Sequence, residues 1–202
     1  MKLYYSPGAC SLSPHIVLRE AGIKFDLEKV DLKSHKTASG EDFEKINPKG
    51  YVPALQLDNG EVITEGAAIV QYVADLNPGA ELAPAPGTLA RVRLQEHLNF
   101  IAAELHKNFT PIFSPDASDA VKDNALKTVI RRLGYIEQVL NDKRHYLLGD
   151  VFSAADAYLF VILLWAKFKN INTDALPNVS AFFARAAGRA KVQEALKAEG
   201  LA

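Results

Sequence analysis

The chain is poor in the residues that staple or anchor small proteins. Among 202 residues there is one cysteine, one methionine and one tryptophan. A lone cysteine excludes an intrachain disulfide and fits a reducing compartment. The longest apolar run, 157–166, falls well short of the roughly 18 residues that span a bilayer. Met1-Lys2 leads into a strand pattern and not into the apolar stretch of a signal peptide, so the expected location is cytoplasmic, with no membrane partner. The net charge is −1, which offers no basic surface to nucleic acid. Five histidines and one cysteine show no CxxC or HExxH spacing, so no metal site is expected. GxGxxG, Walker A and GxSxG patterns are absent as well. What remains, 49% hydrophobic and 23% charged, is the composition of a globular chain long enough for one large or two small domains.

The first fifteen residues are the most informative. Residues 1–5 form a short apolar and aromatic run that reads as a strand. Ser6-Pro7-Gly8 is a turn signal. Ser11, Ser13 and Pro14 read as a helix opening, with serine caps and a proline in the first turn. Pro14, Val17, Leu18 and Ala21 continue at helical spacing, and Gly22 suits the stop. Cys10 therefore falls between a strand end and a helix start. Free N–H groups and the positive helix end there favour an anion. A thiol so placed is expected to have a lowered pKa, in the range of roughly 3.5–7.5. The alternative is that a lone cysteine is a small buried hydrophobe.

Residues 25–31 alternate and read as a second strand, giving a βαβ unit with a right-handed crossover. Residues 33–40 read as a polar loop carrying His35 and Lys36, and Phe43 and Ile46 as one or two helical turns. Residues 50–57 form a strand with Pro53 near its start. Asp58-Asn59-Gly60 is a hairpin turn before the return strand 61–64. Glu65-Gly66 opens a helix with an Ile69, Val70, Val73 stripe. The order is βαβ-α-ββα over 1–77, and the proline- and glycine-rich stretch 78–87 reads as an interdomain linker.

Residues 88–202 read as an all-α domain. Leu94, Leu98, Ile101 and Leu105 line one helix; Leu126, Val129, Ile130, Leu133, Ile136 and Leu140 line another. Ser153-Ala-Ala-Asp156 is a capping-box-like start. The helix it opens is apolar all round and belongs at the centre of a core. Asp156 is expected to cap and not to catalyse. Lys122, Lys127, Arg131 and Arg132 read as a solvated face.

Together, Ser-Pro-Gly-Ala-Cys10-Ser after a strand, Val52-Pro53, Glu65 opening a helix and Ser153-x-x-Asp156 before a buried helix resemble a cytosolic glutathione S-transferase, and the Cys10 version resembles the bacterial beta class. The likeness covers essentially the whole chain. It implies a thioredoxin-like domain followed by a helical domain, and glutathione as co-substrate with no cofactor. Cys10 would lie beside the glutathione sulfur, where beta-class members can form a mixed disulfide. Pro53 would be the family's cis-proline, turning the N–H and C=O of Val52 toward the tripeptide. Glu65 and Gly66 would hold the γ-glutamyl end, Glu65 its ammonium and the helix N–H groups its carboxylate. Asn99, Glu104, His106 and Lys107 would border the same site, with His106 stabilising a thiolate; without the resemblance, His106 reads as an exposed residue near a helix end. Tyr5 and Ser11 are alternative thiolate partners, Ser11 the one expected to reach the ligand.

Two departures stand out. Gly66 replaces the serine often found beside the acid, and His35 replaces the usual lysine, with Lys36 as a substitute. The expected reaction is conjugation of glutathione to a small hydrophobic electrophile in a cleft between the domains. Phe109, Phe113 and Trp165 are candidates to face it, Trp165 more as core. A homodimer is implied by the resemblance alone. Rival readings are a reductase or dehalogenase working through Cys10, an isomerase, and a non-catalytic ligand carrier.

Overall fold

The computed structural model describes all 202 residues. In chain order the strands are β1 (Lys2–Tyr5), β2 (Asp26–Asp31), β3 (Lys36–Thr37), β4 (Ala54–Gln56) and β5 (Val62–Thr64). The helices are α1 (Leu12–Glu20), α2 (Phe43–Ile46), α3 (Gly66–Leu76), α4 (Leu89–Phe100), α5 (Lys107–Phe113), α6 (Asp119–Val139), α7 (Ala154–Phe168), α8 (Pro177–Ala187) and α9 (Ala190–Ala198). A π-helical segment, Ile101–His106, joins α4 to α5. None of these helices is long and apolar enough to cross a membrane.

The chain divides into two compact units, one of Met1–Ala83 with Gly188–Ala202, the other of Pro84–Ala187. The last fifteen residues, expected with the helical domain, thus group with the first unit, because α9 packs on α1. In that unit the sheet order is β3-β2-β1-β4-β5. The α1 crossover joins β1 and β2 in parallel, and β4 pairs antiparallel to β1. A mixed sheet with helices is therefore observed, as the residue pattern predicted. Two details differ. Residues 36–37 of the expected loop pair with β2 as a short strand, β3. The expected strand at 50–57 joins the ladder only from Ala54, one residue past the cis Val52–Pro53 peptide; proline brings no N–H to a ladder.

The start of α1 also departs from the serine-cap expectation. The Ser11 hydroxyl accepts from the Ser6 N–H and bonds the Ser6 carbonyl, and the Ser13 hydroxyl donates to the Cys10 carbonyl. Neither accepts an amide of the first helical turn. Leu12, Ile16, Val17 and Leu18 are wholly buried, and so is His15 between them.

The second unit is entirely helical. Its core is α7, in which every residue from Ala154 to Leu163 is buried. The α6 stripe is narrower than its pattern implied. Val129, Leu133, Ile136 and Leu140 are buried, but Ile130 is exposed because its spacing carries it off the inward face.

Asp156 fixes the start of α7. Its carboxylate accepts from the Ser153 N–H at 2.7 Å and from the Leu147 N–H at 2.8 Å, all buried, and from the Ser153 hydroxyl. Burial pushes its carboxyl up to about 6, against the hydrogen bonds that lower it. The folded chain thus holds a proton where an unfolded aspartate, near 3.9, has lost it. That contribution to stability is fully present below about pH 4 and is lost as pH rises through 6. Asp156→Ala orphans two buried amides and is expected to cost about 2–4 kcal/mol at pH 7. The gap to wild type should widen as pH falls from 7 to 5. Urea unfolding followed by circular dichroism at both pH values measures this; an unchanged midpoint would refute the assigned role.

Candidate active site

The turn after β1 closes on itself, the Ala9 N–H donating to the Ser6 carbonyl at 3.0 Å. Gly8 sits at φ 71°, in the left-handed region where a side chain is strained. Its N–H donates to Glu199 Oε2 at 2.9 Å. Glu199 Oε1 lies 2.7 Å from His15 Nδ1, and both side chains are fully buried. Arg19 Nε donates to His15 Nε2 at 2.8 Å, so the neutral ring carries its proton on Nδ1 and donates it to Glu199. The C-terminal segment thus reaches back to hold the loop before Cys10. Sequence reasoning missed this group. Its one signal was a histidine among the apolar residues of α1 with Arg19 four positions on.

Cys10 directs its thiol at the Val52 carbonyl, with Sγ 3.3 Å from the oxygen. The residue keeps some exposed surface, but protein surrounds the sulfur. Burial pushes the Cys10 thiol up to about 12, outweighing the Cys10 and Ser11 N–H groups that lower it; the Glu65 charge raises it further. The expected depression is therefore overturned. The helix-end N–H groups are present, but lost solvation costs the thiolate more than they return.

Ser11 is wholly buried with its hydroxyl on Ser6, so the expectation that it reaches a ligand is corrected too. Tyr5 packs its ring 6.3 Å from that of His15. Burial, then the charges of Glu199 and Glu28, raise its phenol above the usual value.

Glu65 stands at the start of α3 with φ 72°. An unstrained position needs no such angle in a non-glycine residue, and such outliers cluster at functional sites. Its Oε1 accepts from Lys49 Nζ at 2.5 Å and from the Tyr51 hydroxyl at 2.8 Å. Its carbonyl takes the N–H groups of Ala68 and Ile69. The amides of Gly66 and Ala67 precede the helical ladder and face outward from its positive end. Lys49 and Tyr51 were not singled out from the sequence, although they flank the turn into Val52-Pro53.

His35 sits at φ 53° with its ring against Gly50. Its Nδ1 lies 3.5 Å from Glu44 Oε1. Lys36 is exposed on β3. The first unit therefore gathers Cys10 and Val52 into contact, and separately clusters Glu65 with Lys49 and Tyr51. A carbonyl acceptor, a thiol donor, a carboxylate and a helix N-terminus on one scaffold suit a small peptide carrying both an ammonium and a carboxylate.

In the second unit, Glu104 pairs with Arg132 at 2.5 Å, which removes Arg132 from the simple solvated face expected. His106 Nδ1 lies 2.6 Å from the Tyr158 hydroxyl, and its ring meets Trp165 edge-on at 4.8 Å. It is half-buried, not the exposed residue that its sequence position alone implied. Asn99 and Lys107 are exposed. Phe109 and Trp165 are buried, and Phe113 is exposed beside them. A cavity of about 380 Å³ in this unit is lined by Arg93, His97, Phe100 and Tyr135 among others, and by none of the candidate site residues.

Comparison with known proteins places the chain in a family. The family model "Glutathione S-transferase, N-terminal domain" matches residues 8–76, and "Glutathione S-transferase, C-terminal domain" matches 100–190. Glutathione S-transferase GstA of Escherichia coli O157:H7 is 46% identical over the full length of both chains. A sphingomonad glutathione S-transferase complexed with glutathione is 49% identical with a TM-score of 0.95, each chain fully covered. A bacterial beta-class enzyme of Sphingomonas chungbukensis is 50% identical with a TM-score of 0.96, again with each chain fully covered. From the strand-to-helix turn at Cys10 to the capped α7, this chain belongs to the glutathione S-transferase family, and its likeness is to the bacterial beta class.

Proposed function

We propose that the chain binds reduced glutathione and directs its thiolate onto small hydrophobic electrophiles. The observation that carries this reading is the Cys10 thiol, held on the Val52 carbonyl and pushed up to about 12 by burial. A neutral thiol is a poor nucleophile but a serviceable hydrogen-bond donor. Glutathione then supplies the attacking sulfur. Its thiol proton leaves to solvent, and the thiolate forms the new C–S bond as the electrophile loses a leaving group or takes up a proton. Cys10 helps to hold the sulfur, and catalysis comes from thiolate stabilisation and proximity.

The same reading gives Val52 the strand-like pairing with the tripeptide and Glu65 its ammonium. The Gly66 and Ala67 amides receive the γ-glutamyl carboxylate. Asn99, Glu104, His106 and Lys107 are assigned to the same ligand through the family resemblance, with Tyr5, Ser11 and His35 behind or beside it. The beta-class likeness also supports a homodimer working in the cytoplasm. The raised thiol speaks against a reductase or dehalogenase in which Cys10 attacks through a mixed disulfide.

Conjugation of a model electrophile by wild type and Cys10→Ala tests the reading. Activity is expected to survive within about tenfold, since one weak donor is lost. Complete loss, with a stable glutathione adduct on wild-type Cys10 by intact mass, would sink it in favour of chemistry through Cys10. A second measurement follows from the thiol itself. Iodoacetamide should alkylate native Cys10 slowly at pH 7.5 and much faster in denaturant, where the thiol returns to about 8.5 and part of it ionises. Equal rates in both states would contradict a raised native pKa.

A further inference from the structure

The π-helical turn Ile101–His106 interrupts the α-helical run from α4 to α5. Such turns often occur at functional positions. Here it ends on His106, and α7 meets that ring with two residues seven apart, Tyr158 and Trp165, which share one helix face. The Trp165 ring stands edge-on at 72° to the imidazole, with centroids 4.8 Å apart, and restricts its tilt. The Tyr158 hydroxyl lies 2.6 Å from Nδ1. At that distance one of the two atoms donates to the other. An imidazole nitrogen is a better acceptor than a phenol oxygen, while the phenol is the better acid of the two neutral groups.

We propose that Tyr158 is a positioning residue that donates to His106 Nδ1 and so fixes the neutral ring with its proton on Nε2. The inference rests on the reading of this chain as a glutathione transferase in which His106 serves the thiolate. A neutral imidazole can show an anion either a lone pair or an N–H. The first repels a thiolate and the second stabilises it. With Nδ1 occupied as an acceptor, Nε2 is the donor. Tyr158 thereby makes His106 a hydrogen-bond donor without requiring it to be a cation.

The test is long-range proton–nitrogen correlation of the His106 ring in the full-length wild-type protein, with glutathione absent, assigned by comparison with His106→Gln. The expected spectrum has an unprotonated Nδ1 and a protonated Nε2. A protonated Nδ1, in either the other tautomer or the imidazolium, overturns the proposal. No Tyr158 variant is needed for that result, so a variant that fails to fold cannot obscure it. Tyr158→Phe keeps the ring beside His106 and removes only the hydroxyl. It should leave the two nitrogens averaged between tautomers and lower kcat for conjugation about tenfold with KM for glutathione nearly unchanged. That is short of the roughly 10²–10³ for deleting a donor outright. A variant with the wild-type spectrum overturns the proposal as well. The spectrum stands apart from turnover. An Nε2–H ring in a protein without transferase activity would leave the tautomer standing and remove the function assigned to it.

Discussion

The loop before Cys10 hangs from one buried carboxylate, that of Glu199, and the groups that donate to it. Glu199 and His15 are both withdrawn from water, and a charge so placed is tolerated only when its partners are in position. Gly8, His15 and Arg19 supply those partners from the first twenty residues. Glu20 and Arg189 add a two-pronged pair beside it, with contacts of 2.7 and 2.9 Å. Removing a donor leaves the buried Glu199 carboxylate short of a hydrogen bond, at a cost of about 1–3 kcal/mol or more. This is the physical reason the C-terminal segment returns to the unit that the N-terminus begins, and why the loop carrying Cys10 has a fixed path.

That fixed path then decides the chemistry of the thiol. The same strand-to-helix turn is compatible with two opposite outcomes. A sulfur left in water at a helix N-terminus becomes a thiolate; a sulfur enclosed by protein stays a thiol. Here burial decides, outweighing the Cys10 and Ser11 N–H groups, and the enclosed thiol points at the Val52 carbonyl. The enclosed thiol is thus placed as a hydrogen-bond donor. Glu65, held by Lys49 and Tyr51 at an angle few acidic residues adopt, is a second polar group fixed in the same unit.

The second unit solves a different problem. Its central helix, α7, is buried on every side, so its first turn can find no water for its backbone groups. Asp156 answers this by accepting from two backbone amides and a hydroxyl. With α7 anchored there, the positions of Tyr158 and Trp165 are set, and through them the orientation of the His106 ring. Structural capping and ring placement are two ends of one helix.

The sequence by itself determined the elements and their order. Period-2 and period-3.6 patterns located β1, α1, β2, the β4–β5 hairpin and α3, since each needs only local spacing and turn residues. The all-apolar run of α7 announced a core helix for the same reason, and Asp156 announced its cap. Cys10, Val52-Pro53 and Glu65 were legible because their motif positions are local. Only the tertiary structure decided what these groups do electrostatically. The direction of the Cys10 shift depends on how deeply the packed chain buries the sulfur, and the tautomer of His15 on an acceptor a hundred and eighty-four residues away. The Ser11 hydroxyl turned inward because Ser6 offered a carbonyl, which no cap pattern encodes. His106 lost its exposed reading to a π turn and two α7 side chains. Burial and partners are properties of the packed chain, and they outweigh the helix-end and propensity terms that a sequence can supply.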